Sequence, residues 1–236
     1  MVTGSTVTSL PRRLFTAEVH VAGMPRLMYV GAGGQRYIAA EPGAPFTIVV
    51  CNLASSRIEL VASVDQRHVL DDEPAIPEAV RGVVIEPRSQ YEFPGWQTRT
   101  GPAGTARRFT FTTGLPVAEL AAGPAARTGV IGLAAYREAA PVWAGGREDR
   151  LADAGAGTFG GPGGLAQRRL GVGTGQEVPS PLGTTSFQRD GLPDLVSVGY
   201  ATEEDLMASG VIAAGPPVPP AFPGSQLTGY AAFSGE

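Results

Sequence analysis

Asp65, His68, Asp71, Asp72 and Glu73 are the one place in the sequence where side chains able to hold a metal or move a proton gather within a short span. The chemistry would be a cation held by one imidazole and several carboxylates, or a histidine oriented by an acid. Transition metals need ligands that converge, and one imidazole with scattered acids is a poor set. A turn at Asp65-Gln66-Arg67, with Asp65 and His68 flanking it and the acids at the far end of the return strand, would hold these groups apart. The expectation is a solvated acidic turn and no metal site.

Other catalytic patterns fare no better. Gly171-Val172-Gly173-Thr174-Gly175 has the look of a dinucleotide loop, but it lacks the third glycine at the required place, the preceding apolar strand and the following helix whose N-terminus would meet a pyrophosphate. The chain has no lysine, so a phosphate loop of the usual kind is excluded, and Gly-x-Ser-x-Gly is absent. Its two histidines are His20, on the polar face of a strand, and His68, beside a turn; a Ser-His-Asp set would need one of them buried beside an acid and a serine. Pairs of carboxylates for glycoside hydrolysis are defined by spatial separation, which the 22 acids do not reveal. The chain is read as non-enzymatic, with no catalytic, cofactor-binding or metal residues and no cofactor.

The aromatic residues Tyr91, Phe93, Trp96 and Trp143 suit a sugar-stacking test, since an exposed aromatic face packs on a sugar ring. The favoured reading is that Tyr91, Phe93 and Trp96 pack the edge of the core, as large aromatic side chains usually do. Tyr91, Trp96 and Trp143 stay as candidate ligand contacts under the alternative of a carbohydrate- or ligand-binding module.

Composition narrows the elements that position these groups. With 33 glycines and 21 prolines in 236 residues, helices are disfavoured and turns abound. Charged residues are 17% of the chain, so much of the surface is Gly, Pro, Ser, Thr and Ala. A net charge of −4 with no basic run beyond two residues argues against nucleic acid as the main partner. Cys51, in the apolar run from Phe46, reads as a buried, inert thiol in a strand. Met1 to Leu10 lack the apolar stretch of a secretory signal, and no segment approaches the roughly 18 apolar residues of a membrane span. The expectation is cytoplasmic synthesis, with incorporation into a virion or extracellular assembly.

Alternation of apolar and polar residues predicts strands at Phe15–Val21, 27–30, 36–38, 46–51, 57–64, 68–70, 83–85, 91–93 and 107–112, with 46–51 and 57–64 expected to pair as a hairpin. Spacing of about 8 to 12 residues is that of a sandwich or barrel. Further strands are expected near 129–137, 184–189 and 195–200. Thr202, followed by Glu203, Glu204 and Asp205, predicts a short helix over 203–209 ended by Gly210. The glycine-rich stretch 144–183 is expected to be a long loop, because ordering it costs more entropy than its few apolar side chains offset.

Ser63-Val64-Asp65, Gly82-Val83-Val84-Ile85-Glu86-Pro87 and Pro94-Gly95-Trp96 resemble a family of uncharacterised bacterial proteins. In these, a strand ending Ser-Val-Asp-Gly is followed by a Gly-Tyr-Val-Ile-Pro-like strand and a Gly-Trp. The resemblance continues through Gly129 to Glu138 and Gly199-Tyr200 to Ile212, with Gln66 standing where the family has its turn glycine. It implies a β-sandwich and attaches no activity.

The fold expected is mainly β: an antiparallel β-sandwich, jelly-roll or Ig-like, with a Gly/Pro-rich C-terminal extension containing a few strands and one short helix. An N-terminal arm spans 1–13, the sandwich core 14–114, the extension 115–212 and a Pro-rich tail 213–236. The function expected is that of a structural or assembly subunit, such as a virion component or a surface or filament array. Its partners would be itself or other structural proteins, met in part through Phe222, Tyr230 and Phe233 of the tail.

Overall fold

The structure is a computed structural model, and it describes residues 13–97, 104–113, 128–140, 170–180 and 182–213. Trp143 and the tail residues Phe222, Tyr230 and Phe233 lie outside the described residues, as do residues 1–12 and most of 144–183.

The protein is mainly β, with two seven-stranded sheets. The first contains β1 (Phe15–Val21), β2 (Met24–Pro25), β5 (Pro45–Asn52), β9 (Gln90–Phe93), β10 (Gly95–Gln97), β11 (Thr105–Thr112) and β13 (Gly171–Pro179). The second contains β3 (Met28–Val30), β4 (Arg36–Ala39), β6 (Ile58–Val64), β7 (Arg67–His68), β8 (Val83–Ile85), β12 (Val130–Glu138) and β14 (Arg189–Ala201). All pairings are antiparallel except β4 with β14.

Period-two alternation builds the core. Phe15, Val19, Ile48, Val50, Phe109 and Phe111 of the first sheet share one cluster with Ile58, Leu60, Ala62, Val64, Ile131, Leu133 and Val198 of the second. Phe46 stacks between Phe109 and Phe111, with ring centroids 5.1 and 4.3 Å away. The outer face of β6 and β12 is also buried: Val61, Ala134 and Tyr136 lie under Val80 and Phe187. Helix α1 (Glu203–Ala208) covers the outer face of β4 and β14 through Leu206, which packs on Tyr37 and Ala201. Thr202 caps α1 by accepting a hydrogen bond from the Asp205 N–H, and the Val211 N–H bonds the Leu206 carbonyl beyond Gly210.

Four expectations differ from what is found. Residues 184–188, expected as most of a strand, belong to no strand, and β14 begins only at Arg189. Strands 46–51 and 57–64 do not pair with each other; β5 and β6 belong to different sheets, and the turn between them carries the chain across the core. Asn52 holds that corner: its side-chain oxygen accepts from the Ala54 N–H, and its amide nitrogen lies 2.9 to 3.0 Å from the carbonyls of Ser56, Ile85 and Glu86. The boundary near Gly114 does not divide the described residues into a core and an extension. β12 lies between β6 and β14, and β13 pairs with β11, so strands from the second half complete both sheets.

Part of the stretch expected to be a loop is β13, paired with β11 along its length. Backbone hydrogen bonds and buried Val172 offset the entropy that its glycines cost, and Gly175 is needed there: a Cβ would stand 2.6 Å from the Thr110 hydroxyl. Gly95 is still tighter, because a Cβ would lie 2.0 Å from the Arg107 carbonyl oxygen, where β10 crosses onto β11 after Pro94.

Among the described residues no helix is long and apolar enough to cross a membrane.

Candidate functional site

The acidic cluster read from the sequence is split by the fold. Asp65 is buried at one end of the two-sheet body, while Asp72 faces outward and pairs with Arg67 at 3.0 Å. His68 is 1% exposed, with Nδ1 2.7 Å from Asp71 Oδ1. An ionised carboxylate only accepts, so Nδ1 carries the hydrogen of this bond. Nε2 is buried with no hydrogen-bond partner among the described residues, so none of their serines or cysteines stands where a histidine-activated nucleophile would have to be. Among the described residues no group of three or more His, Cys, Asp and Glu is arranged to hold a metal ion.

Asp65 instead organises its end of the fold. It and Gln66 are the central residues of the two-residue β6–β7 hairpin, and both have positive φ (51° and 65°), the handedness that matches strand twist. Gln66 thus takes a conformation that usually selects glycine or asparagine. Asp65 Oδ1 accepts from the N–H groups of Gly129 (2.8 Å) and Val130 (3.3 Å) and from the Tyr200 hydroxyl (2.5 Å). Oδ2 accepts from the Val172 N–H at 2.9 Å, which reaches into the other sheet. Burial pushes the carboxyl up to about 6, against the opposing effect of these four donors.

A second buried acid, Glu59, lies on the outer face of β6. It accepts from Arg189 Nε (2.8 Å) and Nη2 (3.1 Å) and from the Gly82 N–H (2.6 Å). Arg189 also donates to the Pro77 and Val80 carbonyls and lies 4.1 Å over the Tyr136 ring. Desolvation opposes ionisation of Glu59, but the Arg189 and Gly82 hydrogen bonds outweigh it and hold the carboxyl below its ordinary value. This cluster clamps the 74–82 loop onto the sheet.

The aromatic candidates serve packing. Trp96 is 5% exposed, meets Phe109 edge-on at 5.3 Å and donates from Nε1 to the Gly173 carbonyl at 3.4 Å. Tyr91 meets Phe93 edge-on at 4.8 Å against the core. Neither lines the cleft described next. Cys51 is partly exposed, with Sγ 3.7 Å from Gln90 Oε1.

At the end of the body opposite Asp65, a cleft of about 110 Å³ is lined by Arg13, Leu14, Leu53, Ala54, Ser55, Arg88 and Arg137. Arg13 and Leu14 precede β1, Leu53–Ser55 form the β5–β6 corner, Arg88 sits in the β8–β9 turn and Arg137 is near the end of β12. The supports are fixed. The Leu53 N–H bonds the Leu14 carbonyl, the Asn52 N–H bonds the Ser89 carbonyl, and the Leu14 N–H bonds Asp194 Oδ2. Nothing in the sequence spacing joins positions 13, 88 and 137; their only local signals are the Asn52 corner and the Pro87-Arg88-Ser89 turn.

A separate surface feature lies where the chain passes from β2, the edge of one sheet, to β3, the edge of the other. Met24, Leu27 and Val30 are 69%, 69% and 66% exposed within this short span.

The chain matches no known protein-family model, no curated protein and no solved structure. The fold and sites therefore define its class on their own: a mainly β, two-sheet protein with an arginine-lined cleft at one end and an apolar edge.

Proposed function

We propose that this chain is a non-enzymatic structural or assembly subunit, an antiparallel β-sandwich of jelly-roll or Ig-like type used in a virion or a surface or filament array. The observation that carries this reading is the exposed apolar strip Met24, Leu27 and Val30 on the β2–β3 edge. Edge strands with bare apolar side chains invite pairing with another chain, and single-chain proteins blunt such edges with charge or proline. The part of β14 before Val198, which β4 does not cover, has that protection, since Pro193 lacks an N–H and the ladder with β12 is irregular between Ala135 and Arg137. The β2–β3 edge carries Pro25 but keeps its three large apolar groups exposed.

Light scattering on the intact chain tests the proposal. An assembly is expected, and Leu27→Asp combined with Val30→Asp should reduce it to monomers with an unchanged melting curve. A strict monomer before substitution overturns the reading. Truncation before Ala213 measures whether Phe222, Tyr230 and Phe233 add to the contact. The carbohydrate-binding alternative loses its main platform with Trp96 covered by Phe109 and the β13 backbone.

A further inference from the structure

We propose that the cleft lined by Arg13, Arg88 and Arg137 binds a phosphate group. Charge is the first argument. Arg13 shares Asp194 at 3.8 Å, whereas Arg88 and Arg137 have no ion-pair partner among the described residues. The nearby Glu138 is taken up by Arg57, and Asp190, opposite Arg137 in the β12–β14 ladder, forms no ion pair with it. Two unbalanced guanidinium groups match the charge of about −1.5 to −2 on a phosphate monoester at neutral pH, and their planar forks suit its oxygens.

Size and surroundings point the same way. A cleft of about 110 Å³, open to solvent on one side, has room for a tetrahedral oxyanion. Leu14, Leu53 and Ala54 supply the apolar part of the lining, beside the three exposed arginines.

The cleft is also held in shape. Arg88 has φ of +58°, a strained conformation for a residue with a side chain, in a turn whose two flanks are fixed to Asn52. Arg137 is set by the ladders of β12 with β6 and β14. Binding then needs little ordering of backbone.

The test is calorimetric titration of the intact chain with inorganic phosphate, phenyl phosphate and acetate at low salt. Phosphate or its ester is expected to bind at millimolar concentration or below, weakening as salt rises. Preference for the free ion identifies inorganic phosphate as the ligand, and preference for the ester identifies a phosphorylated small molecule. Arg88→Gln and Arg137→Gln should each weaken binding about 10-fold or more, and Arg13→Gln less, with melting unchanged. Arg137→Lys keeps the charge and should lose only part of the affinity. No binding of either phosphate overturns the proposal, as does acetate binding equally well or affinity unaffected by Arg88→Gln and Arg137→Gln.

Discussion

The Tyr200 hydroxyl donates a 2.5 Å hydrogen bond to Asp65 Oδ1 across 135 positions of sequence. The pair sits where β14, the β6–β7 turn and the starts of β12 and β13 meet. Tyr200→Phe removes one of the four donors and keeps the ring that packs on Phe111. A loss of about 1–3 kcal/mol is expected in urea unfolding, with the denaturant slope unchanged.

Asp65 gives stability a distinctive pH dependence. Its carboxyl moves from an ordinary value of 3.8 to about 6 in the folded protein. Between these values the native state keeps a proton that the unfolded chain has lost. The contribution of this group is therefore fully present below about pH 4 and is lost as pH rises through about 6, a change of about 3 kcal/mol. Asp65→Asn should abolish this component, seen as the difference between the two pH–stability curves. It should also cost about 2–3 kcal/mol at neutral pH, because its amide would face the Val172 N–H donor to donor.

Glu59 slopes the other way. Its carboxyl is held below the ordinary value of 4.5, so its contribution is present above that value and is lost as pH falls. Glu59→Gln and Arg189→Met should each cost about 2–4 kcal/mol, since each leaves a partly buried charge without its counterpart. The double variant should lose clearly less than the sum, a coupling read from thermal melts.

Gly95→Ala drives a methyl group into the Arg107 carbonyl. The variant should lose about 3 kcal/mol or more and show altered near-ultraviolet signals from Trp96.

Gln66→Gly acts in the opposite direction. Gln66 is exposed and has φ of +65°, so glycine relieves backbone strain without losing a buried contact. A gain of up to about 1 kcal/mol is expected in chemical denaturation.

Much of the β framework was legible because it depends on neighbours in sequence. Ile58, Leu60, Ala62 and Val64 point to one face by alternation alone, and Thr202 with Asp205 announces the helix that follows. The turn at Asp65 was legible as a turn, but its carboxyl had no visible task, because its donors come from Gly129, Val130, Val172 and Tyr200. β13 was hidden by its glycines, which signal loose chain unless the partner strand is known. The pairing of 46–51 with 57–64 was a reasonable inference from a short connection. It failed because Asn52 satisfies the backbone of a corner that crosses between sheets. The cleft was not legible, since its three arginines come from two turns and a strand brought together only by folding.

The parallel pairing of β4 with β14 sets a limit on when the protein can take shape. Gln35 and Ser197, which bond at this junction, are 162 positions apart. At about 5–20 residues per second, synthesis takes roughly 10–30 s to cover that interval. β6 waits for β12 and β4 waits longer still for β14, each exposing a sticky edge to other nascent chains in the meantime. Completion must wait until Ala201 has emerged. Crowded ribosomes making many copies would put this chain at risk of tangling with itself, and chaperone dependence during synthesis is the consequence to look for in cells.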